Sequence, residues 1–175
     1  GGGFTVGAAA GTLLVGLVFG RLGRVGPVIT SMSNGAAQSL SALGMVTFLA
    51  YAGVRAGHWL VAQQDDDGCY RKYEHNSVPH VYNTRAIWAL AAMGVVANEA
   101  GFLAAARRNL DWALTQQTSS GWFATNAFVP DKSPFTHTIA YAIRGFIEVA
   151  VLLGEERYLR AAEIAAREST ERARI

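Results

Sequence analysis

No aspartate or glutamate occurs ahead of Asp65, and the basic side chains before it are Arg21, Arg24 and Arg55 alone. From Asp65 onward acids and bases are near balance, as in a water-exposed helical domain. The two parts are therefore expected to meet different solvents, with a membrane segment first and a soluble segment after it. Cysteine is nearly absent as well. Cys69 stands alone, which excludes an intramolecular disulfide framework and leaves apolar packing to hold the soluble part together. The net charge of +2 is too small to argue for nucleic acid, and the apolar share of 51% lies at the top of the ordinary globular range. A Walker-type loop, a dinucleotide fingerprint, a nucleophile elbow and a basic reading helix are all missing, so nucleotide hydrolysis, hydride transfer and DNA recognition are not expected. The chain starts Gly1-Gly2-Gly3 without methionine or a basic n-region, which argues against a complete secretory signal and for an internal start, that is, a fragment.

Two uncharged runs fill the first third, residues 1–20 and 25–54, broken by Arg21-Leu22-Gly23-Arg24. That is helix, loop, helix. A bilayer core takes roughly 20 apolar residues of helix. The first run supplies them and the second exceeds them, so residues 27–35 are expected as a loop or re-entrant segment and the second span as about residues 36–56. Gly3, Gly7 and Gly11 recur every four positions, Gly16 and Gly20 repeat the step, and Ala37, Ser41, Gly44 and Ala52 thin the second helix. Small residues at that spacing let helices approach closely, so a multi-helix bundle is expected rather than a lone lipid-facing anchor. A pair of buried core helices in a water-soluble protein is the alternative. Arg21 and Arg24 favour a cytoplasmic loop, but Arg55 at the opposite end opposes it, and orientation stays open.

The run Gly11-Thr-Leu-Leu-Val-Gly-Leu-Val-Phe-Gly-Arg-Leu-Gly-Arg-Val-Gly-Pro27, followed by Leu43-Gly-Met-Val-Thr-Phe-Leu-Ala-Tyr-Ala-Gly-Val-Arg-Ala-Gly57, resembles the repeated membrane domain of aspartate–alanine exchanger-type permeases. The resemblance covers about a third of the chain and implies a transport-type protein. In that family many more helices build the substrate path, so further membrane helices and a lipid bilayer are the implied partners.

An internal repeat marks the second part at an offset of 53 residues. Trp59-Leu-Val-Ala-Gln-Gln64-Asp-Asp-Asp-Gly68-Cys-Tyr70 lies over Trp112-Ala-Leu-Thr-Gln-Gln117-Thr-Ser-Ser-Gly121-Trp-Phe123. Apolar spacing predicts helices over 84–97, 102–117, 137–153 and 156–171. Ala100-Gly101 and Gly154-Glu155 are read as the links, which makes the unit a helical hairpin of about 50 residues. The Gln can end a helix by reaching backbone groups of the next turn, the Gly permits a tight bend, and the aromatic packs. This pattern resembles the glutamine–tryptophan repeat of terpenoid cyclases and protein prenyltransferase β-subunits, whose hairpins close into an α/α toroid. Tyr70 and Phe123 depart from it where Trp is usual, and Ala113 stands where an aliphatic residue is expected. Two hairpins are visible where a closed toroid needs about six, so an incomplete toroid is expected.

Candidate chemistry lies at two places. Asp67, Cys69 and His137 supply zinc-type donors, and their Asp-x-Cys and His-Thr patterns are similar to those of the prenyltransferase β-subunits. Cys69 equally fills a turn position whose other copy holds Trp122. The polar, aromatic stretch 71–83 precedes an inner helix, and there Glu74, His75, His80 and Tyr82 are candidate acid, base or hydrogen-bond groups for sugar or phosphate; as solvated loop side chains they need no function. The Asp65-Asp66-Asp67 run is read as a solvated turn or a divalent-cation holder. Asp111 and Arg144 are expected to pair with neighbours, and the last helix to carry i, i+4 ion pairs.

The chain is thus expected to be all-α, with two transmembrane helices over residues 1–57 followed by α-hairpin repeats of an incomplete α/α toroid over 58–175. Its localisation is expected to be a membrane with a soluble helical domain on one side. Two functions compete: a fragment of an exchanger-like transport protein fused to a helical-repeat domain and inactive alone, and a membrane-tethered toroid enzyme or ligand-binding module acting on isoprenoid or carbohydrate substrates. The small-molecule substrate is unspecified, and no nucleic-acid partner is expected.

Overall fold

A computed structural model describes residues 8–29, 33–72, 74, 76, 78–130 and 132–172. Its contacts divide the chain into two compact units, Gly1–Ala50 and Tyr51–Ile175.

In the first unit, α1 covers Ala8–Leu22, 15 residues or about 22 Å. The beginning of the expected first span, residues 1–7, lies outside the described residues. The segment after α1 differs from the expected loop. Arg24–Val25 (β1) pairs antiparallel with Val28–Ile29 (β2), in register Arg24 to Ile29 and Val25 to Val28. Gly26 supplies the left-handed φ of +60° that this tight reversal before Pro27 needs. The hairpin is the sole departure from helix among the named elements apart from one 3-10 turn.

Helix α2, Asn34–Gln63, starts where Ser33 caps it. The Ala36 amide donates to Ser33 Oγ at 3.3 Å, and the Ala37 amide to the Ser33 carbonyl at 2.9 Å. The expected end at residue 56 is overrun, because no proline or capping glycine interrupts the helix until the turn of the first repeat. Its 30 residues measure about 45 Å. Together with Thr136–Leu153, α2 is long and apolar enough to cross a membrane, each with mean hydropathy 1.3. Within its most apolar window α2 buries nothing. Leu40, Leu43, Val46, Phe48 and Leu49 are all exposed, as are Leu14, Leu17, Val18 and Phe19 of α1.

The second unit holds the last turns of α2, a 3-10 turn at Val81–Asn83, α3 (Thr84–Ala97), α4 (Ala100–Thr115), α5 (Thr136–Leu153) and α6 (Glu156–Arg172). Helices α3 and α5 pack side by side, with α4 against α3 and α6 against α5. Ile87, Leu90, Phe102, Leu110, Phe146, Val149 and Tyr158 form the core between these layers. Phe146 and Val149 are fully buried, so α5 owes its apolar composition to this core. Helices α3 and α5 approach closely at Gly145, where an added Cβ would lie 2.5 Å from the Thr84 backbone. Thr84 Oγ1 donates to the Ala142 carbonyl there at 3.2 Å.

The first hairpin link lies two residues ahead of expectation, while the second, Gly154-Glu155, stands where expected. Asn98, with φ of +54°, ends α3 in the left-handed cap that Gly154 (φ +68°) provides after α5. Gly101 lies inside α4. The matching links are therefore Asn98-Glu99 and Gly154-Glu155, and each glutamate amide donates back to the preceding helix, to Gly94 at 2.9 Å and to Ala150 at 3.0 Å.

The two repeat turns are structural copies. Gln64 Nε2 donates to the Gly68 carbonyl at 3.1 Å and to the Ala105 carbonyl of α4 at 2.9 Å. Gln117 Nε2 donates to the Gly121 carbonyl at 3.0 Å and to the Ala161 carbonyl of α6 at 2.9 Å. Inside each turn the glycine amide donates at 2.9 Å to the carbonyl three residues back, Asp65 or Thr118. Tyr70 and Phe123 are buried in both copies, and Phe123 stacks on Phe146 at 5.2 Å.

Around this frame most of the expected structural pairs form; on α6 the i, i+4 pair expected between Glu163 and Arg167 is not among them. Asp111 accepts from Tyr158 Oη at 2.8 Å and pairs with Arg157 at 2.7 Å. Arg144 pairs with Glu148 at 3.2 Å and lies over the Trp88 ring. On α6, Glu168 pairs with Arg172 at 2.7 Å and Glu156 with Arg160 at 3.6 Å.

Candidate functional site

A cavity of about 250 Å³ opens beside the first repeat turn. The end of α2 lends it Trp59, Leu60 and Gln63, the following loop Tyr70, Lys72 and Glu74, and the 3-10 turn His80, Tyr82 and Asn83. Trp59 and Gln63 reach it together because positions four apart share a helix face. The 3-10 turn is fixed from outside by the Val81 amide donating to the Thr125 carbonyl at 2.9 Å. His80 is buried and stacks on Tyr82, ring centroids 4.6 Å apart, with the edge of Phe128 at 6.0 Å. Burial raises the Tyr82 and Tyr70 phenols above their ordinary values, so both are neutral hydrogen-bonding groups at physiological pH.

Three of the four candidate acid–base residues thus meet in one place: Glu74, His80 and Tyr82. His75 lies outside the described residues. Sequence reasoning passed over Trp59, Gln63 and Tyr70, which it had assigned to the repeat. The usable signal was the doublet Gln63-Gln64, since one glutamine closes the turn and the other faces a different side of the helix. Gln63 Oε1, Tyr70 Oη and Glu74 Oε1 are buried without a hydrogen-bond partner among the described residues, a state that costs roughly 1–3 kcal/mol per group.

The zinc set is not assembled. Asp67 is occupied by Arg71, whose Nη1 and Nη2 donate to its two carboxylate oxygens at 2.9 and 2.6 Å, and the Cys69 amide adds a third bond at 3.0 Å. The Arg71 guanidinium holds the Asp67 carboxyl below its usual value. Arg71 also bridges to Asp65 at 2.9 Å, so the acidic run serves as one wall of an ion-paired turn. Cys69 is fully buried, and burial pushes its thiol up to about 11; a metal would require the thiolate. His137 sits among rings instead, stacked on Phe135 at 5.5 Å and beside Phe128 at 5.8 Å. Among the described residues no group of three His, Cys, Asp or Glu is arranged to hold a metal.

Cys69 accordingly carries a pH prediction. Its folded value lies above the ordinary 9.0, so the neutral thiol favours folding, and this contribution is full below pH 9 and disappears as pH rises toward 11. At pH 8 the folded chain is expected to resist alkylation by iodoacetamide and to label only after denaturant is added, as read by mass spectrometry. Rapid labelling of the folded chain would contradict the buried thiol.

The first unit defines a class before any site chemistry does: a helical membrane protein whose glycine-rich helices, uncharged apart from Arg21 in the last turn of α1, present apolar side chains outward. Residues 2–106 match the family described as Predicted Permease Membrane Region. The chain belongs to that family. The match agrees with the exchanger-type resemblance of residues 11–57 and extends beyond it into α4. An uncharacterized transporter of Bacteroides thetaiotaomicron is 45% identical over 65 residues, which cover 37% of this chain and 12% of the relative. Uncharacterized transporters of Bacteroides fragilis and Geobacter sulfurreducens are each 42% identical, over 65 and 62 residues, covering 37% and 34% of this chain. The aligned segments span 12% and 11% of those two relatives. No solved structure matches, so the toroid resemblance of residues 58–175 rests on the repeat and its turn geometry.

Proposed function

We propose that α1 and the membrane-length part of α2 belong to a transport-type, exchanger-like bundle, and that residues 58–175 are two hairpins of a partial α/α toroid fused to it. The observation that carries this reading is the exposed, uncharged surface of α2 ahead of Arg55, combined with membership of the permease family. Gly11, Gly16, Gly20 and Gly44 support it, since nothing lies within 4 Å of the space a Cβ would take at any of them. Such open small-residue positions suit close packing by further membrane helices. Two helices enclose no substrate path, so transport requires additional helices and the chain does not transport alone.

A second reading is favoured by the cavity at Glu74: the hairpin unit is a membrane-tethered enzyme or ligand-binding module for a carbohydrate or isoprenoid. The two readings share the membrane anchor, which alkaline carbonate extraction of membranes expressing the full chain tests. The full chain is expected to remain in the pellet. Release as a folded species in the supernatant would overturn the anchor and return α1 and α2 to the role of soluble helices.

A further inference from the structure

We propose that the hairpin unit joins to further copies of itself head to tail, the exposed stripe of α5 in one copy seating in the apolar groove between α2 and α3 of the next. Such assembly is independent of both readings of function, since the repeat and its packing alone support it.

The groove has a volume of about 300 Å³ and only apolar residues line it, Ala86, Ala89, Leu90 and Met93 on α3 with Gly53 and Ala56 among those on α2. All of them lie in the second unit. The repeat shows what surface this is. The left-handed caps Asn98 and Gly154 stand 56 residues apart, as do the carbonyls gripped by the two glutamines, Ala105 and Ala161. At that offset Ala86, Ala89, Leu90 and Met93 fall on Ala142, Gly145, Phe146 and Val149 of α5, all buried. Gly145 is the point at which Thr84 of α3 lies against α5. At the offset of 53 that relates the repeat turns, Gly53 and Ala56 fall on Ala106 and Asn109 of α4, which are also buried. The groove is thus the surface on which α3 packs, displaced one hairpin back and open among the described residues.

The complementary face is open too. Thr84, Ile87 and Ala91 of α3 are fully buried. Their counterparts 56 residues on are Ala140, Ile143 and Ile147, of which Ala140 and Ile147 are exposed and Ile143 is half-buried. Val151 extends the exposed stripe by a turn. A repeat array that ends in water needs a polar outer face, and Ile147 and Val151 do not supply one. Both halves of the joint therefore belong to one chain, in a register that the chain already uses, which selects a second copy as the occupant. The one cation of the stripe agrees. Within the chain the Arg144 guanidinium lies 5.0 Å from the Trp88 ring centroid, and the offset of 56 carries Trp88 onto Arg144 itself. A copy docked in the same register sets Arg144 against Trp88 of its neighbour, the same cation–π pair with the roles exchanged. Lipid tails in the groove would leave that guanidinium facing hydrocarbon. Ala89 carries a methyl where Gly145 has none, so the joint stands wider than the contact inside the chain, and assembly is expected to depend on concentration.

The test mixes two forms of the full chain in detergent, Ala89→Cys and Ala140→Cys, each with its own epitope tag, under mild oxidation with copper phenanthroline. Cys69 is buried and stays in place. Docking in the in-chain register gives positions 89 and 140 the relation of Gly145 to Thr84, close enough for a disulfide. The mixed dimer is expected to form, and the two like pairs are not, because a head-to-tail joint brings unlike surfaces together. Adding Ile147→Asp to the Ala140→Cys chain is expected to lower the cross-link about tenfold or more, since the carboxylate would be buried without a partner. Ala86→Trp in the Ala89→Cys chain fills the groove and is expected to do the same. Both substitutions fall at exposed positions, so thermal unfolding is expected to be unchanged, and either variant alone decides the matter if the other misfolds. Like pairs that cross-link as well as the mixed pair would mean a two-fold contact and overturn the proposal. A mixed cross-link that survives both variants would overturn it, as would chains that remain unlinked at every concentration, including chains paired solely through their membrane helices.

Discussion

Gly68→Ala is expected to destabilise the hairpin unit by about 3 kcal/mol or more, the sum of a forbidden backbone conformation and a forced displacement. Gly68 has φ of +91°, where an L side chain is strained whatever the space around it. Its Cβ would run into the carbonyl of Arg108 on α4, and backbone inside a packed helix has little room to yield. Gly121→Ala repeats the situation at φ of +98°, with the clash falling on Ile164 of α6. Thermal unfolding of the full chain in detergent, followed by circular dichroism, is expected to show a midpoint lower by about 6–12 °C, taking roughly 2–4 °C per kcal/mol for a chain of this size. Gly101→Ala is the matched control. It sits in a helix with nothing within 4 Å of its Cβ position, so it is expected to be neutral or to stabilise by about 0.5–1 kcal/mol. If Gly68→Ala is no worse than Gly101→Ala, the turn geometry is wrong.

A charge placed at Val46 separates membrane from water by a different scale. Val46 is 64% exposed. On a helix bathed in water, Val46→Asp would change stability by no more than about 0.5 kcal/mol. At the centre of a bilayer span the same aspartate costs about 2.5–3.5 kcal/mol of insertion free energy. The fraction of chains inserted, scored by glycosylation mapping in microsomes, is therefore expected to drop sharply for Val46→Asp. Val151→Asp on α5 is the counterpart, at a residue 72% exposed on the second helix that, among the described residues, is long and apolar enough to span. Because α5 is a core helix of the hairpin array, insertion is expected to be unchanged. Equal loss at both positions would mean that α5 also enters the membrane.

The helices of the second unit were legible because their apolar residues repeat at helical spacing and the structure buries that face. The range expected for α3 is the one observed, and α5 and α6 differ by one residue at an end. Glycine at 101 suggests the punctuation between helices, yet α4 starts ahead of it; Asn98, which tolerates the left-handed region through its short polar side chain, makes the turn instead. Gln64 and Gln117 were readable as helix terminators, but their second bonds, to carbonyls 41 and 44 residues away, depend on tertiary packing that spacing does not encode. The same limit applied to the candidate sites. Asp67, Cys69 and His137 suit zinc by residue type, yet Arg71, burial and an aromatic cluster claim them one by one. Glu74, His80 and Tyr82 lie close in sequence and so arrive together, whereas Trp59 and Gln63 come from a helix whose use as a cavity wall is set by the fold.

The reach of the two glutamines also sets a timetable for synthesis. Each Nε2 must wait for a carbonyl 41 or 44 residues downstream to leave the ribosome, about 2–9 s at ordinary elongation rates of roughly 5–20 residues per second. During that interval Gln64 can complete only its local bond to Gly68, and the hook is left open until α4 emerges; Gln117 then waits in turn for α6. Assembly is thereby directional, each turn being locked by the hairpin translated after it, and a ribosome stalled within α4 would hold a nascent chain whose first turn has nothing yet to grip.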